Sequence, residues 1–154
     1  MELREFLNNI GDKTLIVGVG NPLRGDDAVG SYIVKSINKD INIPLIDCED
    51  APERYLEKII QYKPETIIFI DAVEMGIQPG YVCIISDREL ESLTILTHKV
   101  SLKLLAKYIK SKIQCNIVII GIQPKNKDFG STMSKEVMIT AKILREILVE
   151  RFKK

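Results

Sequence analysis

The stretch GVGNPLRGDDAVG, residues 18–30, joins the glycine spacing of a phosphate-binding loop to two consecutive carboxylates, Asp26 and Asp27. Gly20 and Gly25 give the GxxxxG interval of a P-loop, but such a loop continues with Lys and Ser or Thr, whose charge and hydroxyl serve the phosphates. Aspartates in those places repel an anion. The GxGxxG fingerprint of a dinucleotide site fails too, because Pro22 and Leu23 follow the first pair of glycines and the next glycine comes too late. Two carboxylates can instead hold a cation, or can do no more than favour the start of a helix.

Two further residues capable of chemistry lie far away in the chain. Asp71 ends the apolar run TIIFID, and His98, the one histidine, stands in LTHK just before a helical stripe. Read singly, each has a plain use, Asp71 as a turn residue and His98 as a helix N-terminal residue. Read with Asp27, they form an O,O,N set that suits a borderline divalent metal and leaves room for water or substrate. No HExxH or CxxC signature accompanies the set, so spacing alone leaves both readings open.

The elements that must bring these residues together are legible as alternating patterns. Short runs rich in β-branched residues occur at residues 14–19, 43–47, 66–71, 81–86 and 116–122, and read as strands. Between most of them the period changes to that of a helix: Val29, Ile33 and Ile37; then Leu102, Leu105, Ile109 and Ile113; then Val137, Ala141, Leu144 and Leu148. Pro52-Glu53 reads as the first turn of another helix, and residues 2–9 as a short one at the N-terminus. The expected fold is an α/β/α three-layer sandwich around a twisted, mostly parallel sheet of about five strands. Residues 81–86 follow residues 66–71 too closely for a crossover helix, which makes them an antiparallel or edge strand. In such sheets ligands gather beyond the carboxyl ends of the parallel strands. Asp26-Asp27, Asp47-Cys48-Glu49-Asp50 and Asp71 to Glu74 all fall there.

Composition narrows the function classes. The chain has 154 residues, 45% of them hydrophobic, and a formal charge of +1. We expect one domain over residues 1–154. The balanced charge argues against nucleic acid, which calls for a basic surplus on one face. The absence of an apolar run of about 18 residues argues against membrane insertion. With no apolar leader after MELREFLNN, and three cysteines about thirty residues apart, the expectation is a cytoplasmic protein with reduced thiols.

The sequence resembles the maturation endopeptidases of [NiFe] hydrogenases, and within them the HycI-type branch. The resemblance rests on GVGNPLRGDD at residues 18–27, Ala51-Pro52-Glu53, IDAVEMG at residues 70–76 with Pro79-Gly80, Thr97-His98, and Gly121-Ile122-Gln123-Pro124, which follow the family's order through nearly the whole chain. It implies an endopeptidase that removes the C-terminal extension of an immature [NiFe] hydrogenase large subunit after nickel insertion. It further implies that Asp27, Asp71 and His98 are the catalytic and metal-ligating set. The metal would be nickel supplied by the substrate, with other divalent ions able to take the same site. Gly20, Asn21, Gly25, Asp26 and Gly30 would face the substrate, the glycines letting its tail approach the backbone. Asp26 or Glu74 would orient water or the tail. The chain departs from the family where Cys48-Glu49-Asp50 stands in place of small residues, and Cys48 is either a buried strand thiol or an added metal-facing thiolate. Two other functions fit the residues: a nickel-sensing chaperone that docks without cutting, and a metal-dependent hydrolase of a small amide.

Overall fold

Where the sequence is richest in Val and Ile the chain builds a five-stranded sheet. The computed structural model describes residues 2–92 and 101–154. In chain order the elements are α1 (Leu3–Asn8), β1 (Thr14–Gly18), α2 (Val29–Ile37), β2 (Leu45–Asp47), α3 (Leu56–Gln61), β3 (Thr66–Ala72), β4 (Val82–Ser86), α4 (Asp87–Ser92), α5 (Leu102–Lys112), β5 (Asn116–Ile122) and α6 (Lys135–Phe152). Single 3-10 turns, Gly25–Ala28 and Pro52–Tyr55, lead directly into α2 and α3.

The strand order is β2-β1-β3-β5-β4. β1 pairs in parallel with β2 and β3, and β3 with β5, while β4 lies antiparallel on β5 at the edge. Every residue of β1 and β3 is buried, as expected for central strands covered on both sides. Alternate side chains feed two cores. Ile16, Ile68, Ile70, Ile120 and Ile122 pack against α1, α2 and α6. Leu15, Val17, Ile67, Phe69, Ile117 and Ile119 pack against α3, α4 and α5. Each such aliphatic side chain contributes about 1.5–3 kcal/mol of burial, which makes the sheet the stiff part on which a site can be set.

This is the anticipated three-layer sandwich, with local differences. β2 starts at Leu45 because Pro44 lacks an N–H to give the ladder, although its carbonyl still accepts from Ile16 N at 3.3 Å. The segment after Ala51 opens as a 3-10 turn before becoming helical. α4 was not foreseen, since DRELES carries a single apolar residue, Leu90, and one residue makes no stripe.

The topology fixes where the site falls. From β1 the chain runs through α2 on one face to β2, then returns through α3 on the other face to β3, on the opposite side of β1. The strand order therefore reverses between β1 and β3, and it is beyond the carboxyl ends at such a reversal that sheets of this kind form their ligand crevice. Gly18 is the register partner of Ile70, so Asp71 stands one residue beyond the level at which β1 ends.

Candidate functional site

The β1 loop enters this crevice on a backbone that only glycine fits. Gly20 has a φ of +147°, and a Cβ there would collide with the Asp27 carbonyl. Gly25 has a φ of +52°, and a Cβ there would meet Asn126 O and Ser131 Oγ. At Gly30, in the first turn of α2, a Cβ would strike the carbonyls of Val19 and Ile70. In each case the close neighbour belongs to this chain: the loop itself at Gly20, the segment after β5 at Gly25, and the ends of β1 and β3 at Gly30, so these approaches within the fold already require glycine.

Asp27 sits in the turn Gly25–Ala28, nearly buried, and its Oδ2 accepts from Asn21 N at 2.9 Å. The N-cap of α2 is Ala28, which has no side chain to cap the helix, and the Asp27 carboxylate reaches back across the loop to Asn21. Asn21 closes the same loop with its Oδ1, which accepts from Leu23 N at 2.9 Å. Asp71 is fully buried as the next-to-last residue of β3, opposite Gly121 of β5, on the strand face shared by Ile67 and Phe69. A carboxylate placed at the end of an otherwise apolar strand is costly to desolvate, and it lies where the fold gathers ligands. His98 lies outside the described residues. Among the described residues no three His, Cys, Asp or Glu side chains form a metal cluster. The crevice edge thus carries two of the three expected ligands, both oxygen donors.

Asp26 behaves differently from its neighbour. Its side chain is wholly buried, Oδ2 accepting from Lys125 N at 2.8 Å, Asn126 N at 3.0 Å and Ser134 Oγ at 2.9 Å, while Oδ1 accepts from Ser134 N at 2.6 Å. All four donors belong to the segment between β5 and α6. Asp26 fastens the β1 loop to the β5 loop, and this corrects the expectation that it faces substrate: its carboxylate has no exposed surface left to offer.

The acidic segment after β2 is likewise organised inward. Asp47 Oδ2 accepts from Ser31 Oγ at 3.0 Å and lies 3.5 Å from Lys35 Nζ. Gly20 N donates to Glu49 O at 2.6 Å, which ties this turn to the β1 loop. Cys48 is buried in the core beneath, and burial, aided by the neighbouring Asp47 and Glu53 charges, pushes its thiol up to about 12. At neutral pH it is a protonated core thiol packed among Val17, Val19 and Ile46, which is the buried strand thiol of the two readings.

Gln123 was quoted within a motif but given no task by sequence reasoning. It is buried just past β5, where its Oε1 accepts from Met75 N at 2.7 Å and its Nε2 donates to Glu74 Oε1 at 2.9 Å and to Pro124 O at 3.0 Å. It therefore sets the loop that follows Asp71 and holds Glu74, an exposed carboxylate, at the rim. The available signal was a buried-type position at a strand end occupied by an amide, which asks for partners.

The family model described as HycI, hydrogenase maturation protease, matches residues 28–150. That span contains Asp71 and His98 and begins one residue after Asp27. A Methanocaldococcus jannaschii protein named provisionally for the same family is 35% identical over 148 residues, 90% of this chain and 87% of its own. The hydrogenase 3 maturation protease of Escherichia coli is 29% identical over 126 residues, 80% of each chain. The crystal structure of the [NiFe] hydrogenase maturation protease HycI from Thermococcus kodakarensis superposes with a TM-score of 0.87 at 29% identity, covering 97% of this chain and 98% of its own. The sheet order, the carboxylates at its reversal and these matches agree: the chain belongs to the hydrogenase maturation protease family.

Proposed function

We propose that this chain is the endopeptidase that removes the C-terminal extension of a [NiFe] hydrogenase large-subunit precursor, and that it reads the nickel already installed in that substrate through Asp27, Asp71 and His98. The observation that carries the reading is the placement of Asp27 in the turn that follows β1 and of Asp71 at the carboxyl end of β3, the two strands between which the strand order reverses, in a chain of this family. Carboxylate oxygens and an imidazole suit nickel among the first-row divalent ions. A metal in the substrate that docks on them would fix the precursor against the rigid sheet edge, turning peptide-bond positioning into an intramolecular event. Requiring that metal would restrict cutting to large subunits whose nickel is in place. Asp27 is suited to the part because its carboxylate is pre-aimed by Asn21 N, and Asp71 because it rides on a central strand buried along its whole length.

The test is to incubate the protein with nickel-loaded precursor and weigh the large subunit. Loss of the extension is expected with the unmodified chain, and Asp27→Asn or Asp71→Asn is expected to slow cleavage about a hundredfold or more. An unchanged precursor mass with the unmodified chain would reject the reading. Binding without any cleavage would favour the docking chaperone in its place.

A further inference from the structure

The two loops joined by Asp26 carry more than that joint requires. Besides the four bonds to the Asp26 carboxylate, Leu23 O accepts from Gly130 N at 2.7 Å, Gly25 N donates to Ser131 O at 3.2 Å, and Asp26 N donates to Asn126 O at 2.8 Å. The pair is a stitched, rigid unit at the carboxyl edge of the sheet, one residue from Asp27. Yet its outer surface bears Leu23, 60% exposed, and Phe129, 68% exposed, with the Arg24 guanidinium 5.8 Å from the Phe129 ring centroid. Lys127 is exposed on the same loop. Loops that serve only as connections have no need to hold two large apolar side chains out in water on a fixed frame. A surface that binds does, because a frame already ordered avoids the entropy of ordering on association.

We propose that Leu23, Arg24 and Phe129 form a docking platform for the folded body of the large-subunit precursor, presenting an apolar knob with a basic rim to an apolar depression with an acidic rim. This rests on the function proposed above. The occupant follows from position and charge. The platform is continuous with the turn carrying Asp27, so whatever brings a metal to that carboxylate must also cover Leu23. The exposed cations Arg24 and Lys127 outnumber Asp128, the exposed carboxylate on the same loop, and call for acidic groups opposite. Phe and Arg are both enriched in protein interfaces relative to the rest of the surface. On this view affinity comes from the platform and cutting from the crevice.

The experiment measures KM and kcat for cleavage of nickel-loaded precursor, and Kd for the unprocessed precursor, with Leu23→Ser/Phe129→Ser, Arg24→Glu and Leu104→Ser. Leu104, 65% exposed on α5, is the control for loss of any exposed apolar group. The expected result is a rise of about tenfold or more in KM and Kd for the first two variants, with kcat and melting temperature essentially unchanged and Leu104→Ser silent. Unaltered KM and Kd, a fall confined to kcat, or an equal effect of Leu104→Ser would overturn the proposal. Failure of the unmodified chain to cut would count against the function proposed above, and the Kd values would then still decide for or against the platform.

Discussion

Two neighbouring aspartates in one turn have opposite fates, and the difference lies in what their oxygens reach. Asp27 accepts from Asn21 N within its own loop, whereas Asp26 accepts four bonds from a distant segment. Replacing Asp26 with Ala removes the buried carboxylate on which these four part-buried bonds converge, and since charge-assisted bonds contribute about 1.5–3 kcal/mol each when intact, a loss of about 3 kcal/mol or more is expected in urea unfolding. The pair DD showed in the sequence that carboxylates mattered here; which one faces the crevice depends on residues about a hundred positions away, and no local pattern encodes that. Cys48 makes a second residue-scale prediction. Its folded pKa is raised from 9.0 to about 12, so between those values the folded state keeps a proton that the unfolded state has lost. Stability from this group is complete below pH 9 and falls as pH rises toward 12, with a slope approaching about 1.4 kcal/mol per pH unit. Chemical unfolding of the unmodified chain from pH 8 to 11 should therefore decline more steeply than that of Cys48→Ala, and parallel slopes would contradict the burial argument.

At the level of elements, strand composition announced the fold more fully than the joints between elements. Runs such as TIIFID and NIVIIGI are short and β-branched, which favours strands, and the short link before β4 pointed to an antiparallel or edge strand, which the ladder to β5 at the sheet's edge bears out on both counts. α4 and the late start of the β2 ladder were hidden because one apolar residue and one proline act through tertiary context. The joint at Gln123 was hidden for the same reason: its partners, Met75 and Glu74, leave a different strand. Gln123 spans the carboxyl ends of β3 and β5 and should couple them. Gln123→Leu removes every one of these bonds and should lower both stability and kcat/KM, the latter about tenfold as for residues that orient a site from behind. Gln123→Glu keeps the acceptor for Met75 N but sets a carboxylate against Glu74. It should retain the fold better than the Leu variant while displacing Glu74, which kcat/KM and melting curves of the two variants would separate.

For the molecule as a whole, the proposed site and the mass that supports it are separable, because the proposed chemistry lies at the sheet's carboxyl edge while stability is also gathered far from it. The clearest remote tie is Arg151 near the end of α6. Its Nε donates to Leu7 O at 2.8 Å and its Nη2 to Ile10 O at 2.6 Å, which satisfies carbonyls at the end of α1 that no helix amide can reach. Its Nη1 also lies 3.1 Å from Asp12, but that carboxylate is 87% exposed, so the ion pair is screened and adds little. The guanidinium further stacks on Phe152, 4.6 Å from the ring centroid. The two carbonyl bonds should therefore dominate: Arg151→Ala is expected to cost about 2–3 kcal/mol, against a few tenths for Asp12→Ala, both read from denaturant midpoints. Neither should change KM or kcat on the precursor at a temperature where the variant stays folded, since α1 and the C-terminal end of α6 lie away from Asp27, Asp71 and Leu23. A loss of kcat in folded Arg151→Ala would mean instead that the packing of α1 and α6 is transmitted through the sheet to its carboxyl edge.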